Sequence, residues 1–502
     1  MQRREFVGSA ALLLASAGMT RIALARDLAA HSVQLQTLGT AAVRVEKGAL
    51  AELGKSLHGD LLLEGMPGYD SARYVWNAAI DRRPALIARC ADTHDIVRAV
   101  LFAERYNALV SVRAGGHNSA GFAVCDRGLT IDLTRMRQVA VDAQQRTATV
   151  DGGATFADYD AATRNFGLAS TGPVVSMVGV GGYTLGGGMG WLHRKLGLAC
   201  DLLVSAEVIT ADGSVMQASE REAPDLFWAI RGGGGNFGVV SSFKFRVAPV
   251  SSVLAGLIFH PLEELPRIAA LLRDFNATAP DEVCVWLMMR KAPASSALPR
   301  ELHGRPVAVL GVCYAGTTER GEQVLQPLRQ FGRPLLDQVK PRAYADWQHA
   351  LDPAWGNGFG NRWTGHYLAE LTDASAQTLM EHVSNVSSPF TDVKVISLGG
   401  AVARVSDDET ACGERRSGYA LAIQTRWQNP RQSREHMEWS RALFDAMKSH
   451  GTGKVYVNFV ADEGEERVKA AYSRRTFARL RAIKKAYDPL NRFRMNQNIR
   501  PA

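Results

Sequence analysis

Three glycine-rich tracts constrain this chain more than any other feature: VRAGGHNSAGF at 112–122, GVGGYTLGGGMG at 179–190 and RGGGGNFGVV at 231–240. Glycine lets a backbone approach a ligand closely, and its unhindered N–H groups can form a nest for an anion. None of the tracts has the Gly-Lys-Ser/Thr of a phosphate loop, and none matches Gly-x-Gly-x-x-Gly in a βαβ context. Three such tracts so close together predict a different dinucleotide cradle. Arg113 assists a pyrophosphate in this reading, and His117 projects from a loop already touching the cofactor.

The flanking pattern is mixed. PALIARC reads as a strand, Asp92 or Thr93 as a helix cap, and Ile96, Val97, Val100, Leu101 and Phe102 as the apolar face of the helix that follows, before ALVSV resumes as a strand. Strands at 129–133 and 147–150, a helix from Phe156 to Phe166, and a hairpin turning at Asp212-Gly213 come next. Beyond Pro249 strand-like runs dominate, at 283–289, 306–314, 392–400 and 419–427, with helical stretches such as 374–383 among them. That pattern predicts an antiparallel sheet with covering helices, and it leaves 352–363, DPAWGNGFGNRW, as an aromatic loop.

The net charge is +8 over 502 residues, with no run of five or six basic residues, so a nucleic-acid partner has little support. The six cysteines show no metal-ligand spacing, which argues against a zinc site and favours buried thiols. Arg3-Arg4 precedes a 13-residue apolar stretch and Ala23-Leu24-Ala25, which reads as a cleavable twin-arginine leader and is too short for a membrane span. The expected location is therefore the periplasm or the exterior, with no anchor after cleavage.

The runs VRAGGHNSAGFAVCDRGLTIDLTRM, GVGGYTLGGGMGWLHRKLGLACDLLVSAEVITADG, DLFWAIRGGGGNFGVVSSF and YDPLNRFRMNQNI resemble the berberine-bridge-enzyme-like FAD-linked oxidases, of the vanillyl-alcohol-oxidase type. The resemblance implies an α+β fold. It divides the chain into a leader at 1–25, an FAD-binding domain at 26–250, an antiparallel-sheet substrate domain at 251–451, and a C-terminal return to the FAD domain at 452–502. His117 matches the histidine bonded covalently to the flavin. The position of the second attachment cysteine in bicovalent members is Val175 here, and Cys200 reads as structural, so a single bond is expected. Arg113, Gly115, Gly116, Asn118, Ser119, Gly179, Gly182, Gly186, Gly190, Gly238, Val240, Asn496 and Asn498 are implied as cofactor-binding residues. Val178 matches the position that controls oxygen access. Tyr456 and Asn458 match the Tyr-x-Asn motif whose tyrosine is a catalytic base, a role that requires a donor or cation beside the phenol.

The substrate domain departs from the pattern. Thr364 and Gly365 follow Trp363 where relatives often carry Lys-Ser, and Ala411-Cys412-Gly413-Glu414-Arg415 replaces a common Ala-Phe-Pro-His-Arg. Trp363, Tyr367 and Trp427 are candidates for a flat substrate wall, and His366 or Glu414 for an alternative base. The expected activity is hydride removal from an alcohol, phenolic or amine-type carbon of a small molecule, with oxygen as acceptor and peroxide as product. A dehydrogenase using another acceptor and a flavin-binding protein without turnover are the alternatives.

Overall fold

The computed structural model describes residues 31–502, so the leader at 1–25 lies outside the described residues. Its first α/β unit forms as its sequence dictates. The strand Leu86–Arg89 leads into the helix Thr93–Arg105, whose N-cap Asp92 accepts a hydrogen bond from the Asp95 N–H. Ile96, Ala99, Val100 and Ala103 recur at helical spacing and are fully buried. The following strand, Val110–Arg113, pairs parallel with Leu129–Asp132, which in turn pairs parallel with Leu86–Arg89. Asp60–Leu62 completes this four-stranded sheet.

A second, five-stranded sheet is antiparallel throughout, in the order Val215–Ser219, Leu203–Ile209, Val239–Arg246, Thr147–Asp151, Val139–Asp142. Its hairpin turns where Gly213 supplies a φ of +80°. The C-terminal segment returns to this sheet. Val455, Val457, Val460, Leu480, Ile483 and Ile499 share one core with Val150, Phe243 and Phe245. Lys484 anchors the last turn, its buried ammonium donating to Asp488 and to the carbonyls of Asn236 and Phe493.

Residues from Ser252 to Trp427 build an eight-stranded antiparallel sheet. Its long central strands are Ser252–Pro261, Pro306–Tyr314, Val283–Lys291, Asp392–Ser397, Tyr419–Trp427 and Gly360–Leu368, in that spatial order. Alternation decides its two faces. Leu287, Met289, Val393, Val395, Leu421 and Ile423 pack with Leu272, Leu379 and Leu443 of three covering helices. Trp286, Lys394, Gln424 and Trp363 occupy the opposite face. The segment read as a loop to Trp363 is one only in part: a short 3-10 turn covers Asp352–Trp355, and the strand begins at Gly360. Gly360 and Asn361 are poor strand formers, and the full-length pairing of this segment with Tyr419–Trp427 overrides that preference.

Candidate active site

The glycine-rich tracts meet. Gly115 and Gly179 are so close that a Cβ on either would lie 2.4 Å from the other's backbone nitrogen. Beside this contact a cavity of ≈ 280 Å³ runs from the tracts to the polar face of the eight-stranded sheet. Gly115, Gly116, His117, Asn118, Val178, Gly179, Gly182, Gly238, Val240, Asn496, Tyr456 and Asn458 all line it.

Rings connect its two ends. His117 stacks on Trp76 with centroids 5.0 Å apart, and Trp76 meets both Trp355 and Trp363. Trp363 reaches Phe459, which packs edge-on against Tyr456 at 4.9 Å. Burial, reinforced by the Arg426 charge, lowers the His117 imidazole to a pKa of about 4, so it is neutral at pH 7 with a free lone pair.

Tyr456 lies at the entry to a 3-10 turn, Val457–Phe459, and its buried hydroxyl oxygen accepts two hydrogen bonds. The Gly188 N–H donates at 2.6 Å and the Asn458 Nδ2 at 3.0 Å. These are the donors a phenolate needs. Burial and the thiols of Cys412 and Cys200 nevertheless hold the phenol well above its usual range. Asn458 is fixed in turn by donation to the Tyr183 carbonyl. Its side-chain amide fills the space beside Gly186, where a Cβ would come within 2.0 Å of Oδ1.

A family model described as "FAD binding domain" matches residues 84–219, and one described as "Berberine and berberine like" matches 455–500. The (R)-6-hydroxynicotine oxidase of Paenarthrobacter nicotinovorans is 30% identical over 468 residues, covering 89% of this chain and 97% of that protein. The chain belongs to the berberine-bridge-enzyme-like FAD-linked oxidoreductases. Among solved structures, 6-hydroxy-D-nicotine oxidase from Arthrobacter nicotinovorans superposes with a TM-score of 0.80 at 28% identity, over 89% of this chain and 99% of that one. A chitooligosaccharide oxidase shares the fold, with a TM-score of 0.79 at 24% identity over 90% of this chain and 98% of the other.

The cavity of this FAD-linked oxidoreductase fits its cofactor. The backbone N–H groups from Gly115 to Ser119 donate to no group among the described residues. Asn496 Oδ1 and the Tyr183 hydroxyl, both of residues on the wall, are buried without hydrogen-bond partners. At Gly182 and Gly235, also on the wall, an added Cβ would meet nothing within 4 Å. Backbone donors, orphaned acceptors and open glycines together suit a large polar ligand with a flat ring.

Five sequence-derived residues stand off the wall. Arg113 donates from its guanidinium to the Ala72 carbonyl. Ser119 gives its carbonyl to Asn77 Nδ2, and Asn498 lies beyond the wall residues Asn496 and Gln497. Gly186 and Gly190 are packing glycines; a Cβ on Gly190 would come within 1.6 Å of the Gly172 carbonyl oxygen. Of the aromatic candidates only Trp363 lines the cavity. Tyr367 is buried beside Cys412, and Trp427 donates to Ser433 and packs on His436. His366 stacks on Phe444, and the Glu414 carboxylate accepts the N–H groups of Arg416 and Ser417, so neither reaches the cavity. Val175 lines the wall, whereas Cys200 is buried beside Asp201 and off it.

The sequence reading missed Trp76, Trp286, Trp355, Phe459, Lys394 and Gln424, all on the wall. One signal was available: Lys394 interrupts the apolar run of DVKVIS, where a lysine needs a polar destination.

Proposed function

We propose that this FAD-linked oxidoreductase is an exported oxidase that carries its flavin on His117 alone, removes a hydride from an alcohol, phenolic or amine-type carbon, and passes the electrons to oxygen. The observation that carries this reading is that His117 and Tyr456 face one cavity, joined by a continuous row of aromatic rings. Bound FAD supplies the two-electron chemistry. The chain's own residues hold and orient it and move the proton.

His117 is suited to attachment because its imidazole is neutral and its ring is held against Trp76. Val175 offers no nucleophile for a second bond. Gly115, Gly116, Asn118, Gly179, Gly182, Gly238, Val240 and Asn496 bind the cofactor from the wall. Arg113, Ser119, Gly186, Gly190 and Asn498 act from behind it by fixing the loops. Val178 leaves room for oxygen with a small side chain.

Tyr456 is the base. As hydride leaves a carbon bearing a hydroxyl, the proton must leave too, and the Gly188 N–H and Asn458 amide stabilise the phenoxide oxygen that receives it. Both donors are fixed before reaction and need no rearrangement. In the protein alone burial outweighs them, so Tyr456 becomes a base only through groups that bound substrate and FAD add.

The test is anaerobic mixing of purified protein with sugars, phenols, secondary alcohols, cyclic amines and organic acids, followed by air. A substrate that bleaches the flavin, with rapid recolouring and peroxide release in air, is the expected result. Bleaching with slow recolouring would overturn the oxidase reading in favour of a dehydrogenase.

A further inference from the structure

The polar face of the eight-stranded sheet carries charge that the proposed chemistry does not use. Strand register places Arg290 opposite Asp392, Asp392 opposite Gln424, and Gln424 opposite Trp363. Lys394 lies on the same face, 2% exposed, and its ammonium donates to Gln424 Oε1 at 2.6 Å. Asp392 Oδ2 is 3.5 Å from that ammonium but also pairs with Arg290 at 3.3 Å. Arg426, 1% exposed, has no carboxylate partner; it donates to the carbonyls of Ala354 and Gly356. Two of these cations therefore share one carboxylate, and the third, whose charge acts on Lys394, has none. Burial of a charge is costly unless an opposite charge balances it, so this region is set up for an added anion.

The cavity wall presents that excess directly. Lys394 and Gln424 both line it, and the Lys394 ammonium lies 4.2 Å from the centroid of Trp355. With Gln424 Oε1 taken by Lys394, the Gln424 amide nitrogen is the end left to donate. The Trp363 indole N–H, of another wall residue, has no acceptor. Donors on a wall of flat rings match a planar anion that accepts two hydrogen bonds. The Lys394 amine is lowered to a pKa of about 8 by burial, which leaves it mostly an ammonium at pH 7.

We propose that Lys394 and Gln424 bind a carboxylate of the substrate, so that the enzyme acts on flat, aromatic or conjugated organic acids rather than on neutral sugars or cationic amines. This deepens the oxidase reading and rests on the cavity being its substrate site. Trp76, Trp355 and Trp363 supply the apolar walls for the acid's ring, and the same cations repel a protonated amine.

Three probes of one size separate the charges: benzoate, benzamide and benzylamine, titrated calorimetrically into the flavin-loaded protein. Benzoate should bind at least about tenfold more tightly than benzamide, with benzylamine weakest. Lys394→Met should remove the benzoate preference while benzamide affinity and flavin content stay unchanged. Gln424→Leu should weaken benzoate in the same sense and serves if Lys394→Met fails to fold. Equal binding of benzoate and benzamide by the wild type, or an intact preference in either variant, overturns the proposal. Binding is read without turnover. Benzoate selectivity in a protein whose flavin no organic acid bleaches would therefore count against the oxidase reading and leave the anion site standing.

Discussion

Tyr456 and Lys394 face one cavity but respond oppositely to burial. The phenol is pushed up and stays protonated, whereas the amine is pushed down to about 8. Tyr456→Phe removes one oxygen and keeps the ring packing on Phe459. It should retain the fold and flavin yet slow anaerobic flavin reduction by about 10²-fold or more, as loss of a positioned base does. Reduction at the wild-type rate under saturating substrate would place the base elsewhere. For Lys394 the charged form is the binding form. Benzoate affinity should be level below pH 8 and fall about tenfold per pH unit above it, because the free protein must take up a proton to bind. Asp392, Arg290 and Arg426 are the charged groups around it; burial and the Arg290 charge lower Arg426 to a pKa of about 10, so the fall between pH 8 and 9 belongs to Lys394. An affinity flat from pH 7 to 10 would show that Lys394 does not carry the anion.

At the scale of elements, the loops are fixed by close backbone contact. Gly179→Ala would drive a Cβ to 2.4 Å from Gly115 N and 2.7 Å from Gly115 Cα, both backbone atoms that no rotamer change can move. It should cost about 1–3 kcal/mol and reduce flavin content. Gly48→Ala is the contrasting case. Gly48 is exposed in the helix Lys47–Ser56, with nothing within 4 Å of an added Cβ, so a gain of up to about 1 kcal/mol is expected. Urea melts of both variants check the pair of signs. Elements with local signals were legible in the sequence: the Asp92 cap, the apolar stripe of its helix and the Asp212-Gly213 hairpin are contacts between near neighbours. The strand Gly360–Leu368 was only partly legible, because what makes it a strand is a partner beginning at Tyr419. Lys394 and Gln424 were hidden for the same reason. Which face a strand residue takes depends on register, and a one-residue slip would send both to the helix-covered side. His117, Tyr456 and Asn458 were legible through motif, whereas the bond from Arg113 to the Ala72 carbonyl is a tertiary contact that no spacing announces.

Across the whole molecule, the site is assembled from distant parts of the chain. Val110, His117 and Val178 come from the N-terminal half, Lys394 and Gln424 from the eight-stranded sheet, and Tyr456, Phe493 and Asn496 from the C-terminal return. A cofactor held this way stabilises every part that touches it, so flavin-loaded protein should melt above flavin-free His117→Ala protein. Thermal scans of the two would show it, and coincident melting would mean that the cavity does not hold FAD. The twin-arginine leader proposed from the sequence at 1–25 would fit such an assembly, since that export route carries proteins already folded around a cofactor. The most direct test of the account is acid precipitation of the wild type and of His117→Ala, followed by peptide mapping. The account predicts a yellow wild-type pellet with flavin on the His117 peptide alone, and a colourless His117→Ala pellet. A colourless wild-type pellet with free FAD in the supernatant, or flavin found on a cysteine, would contradict it.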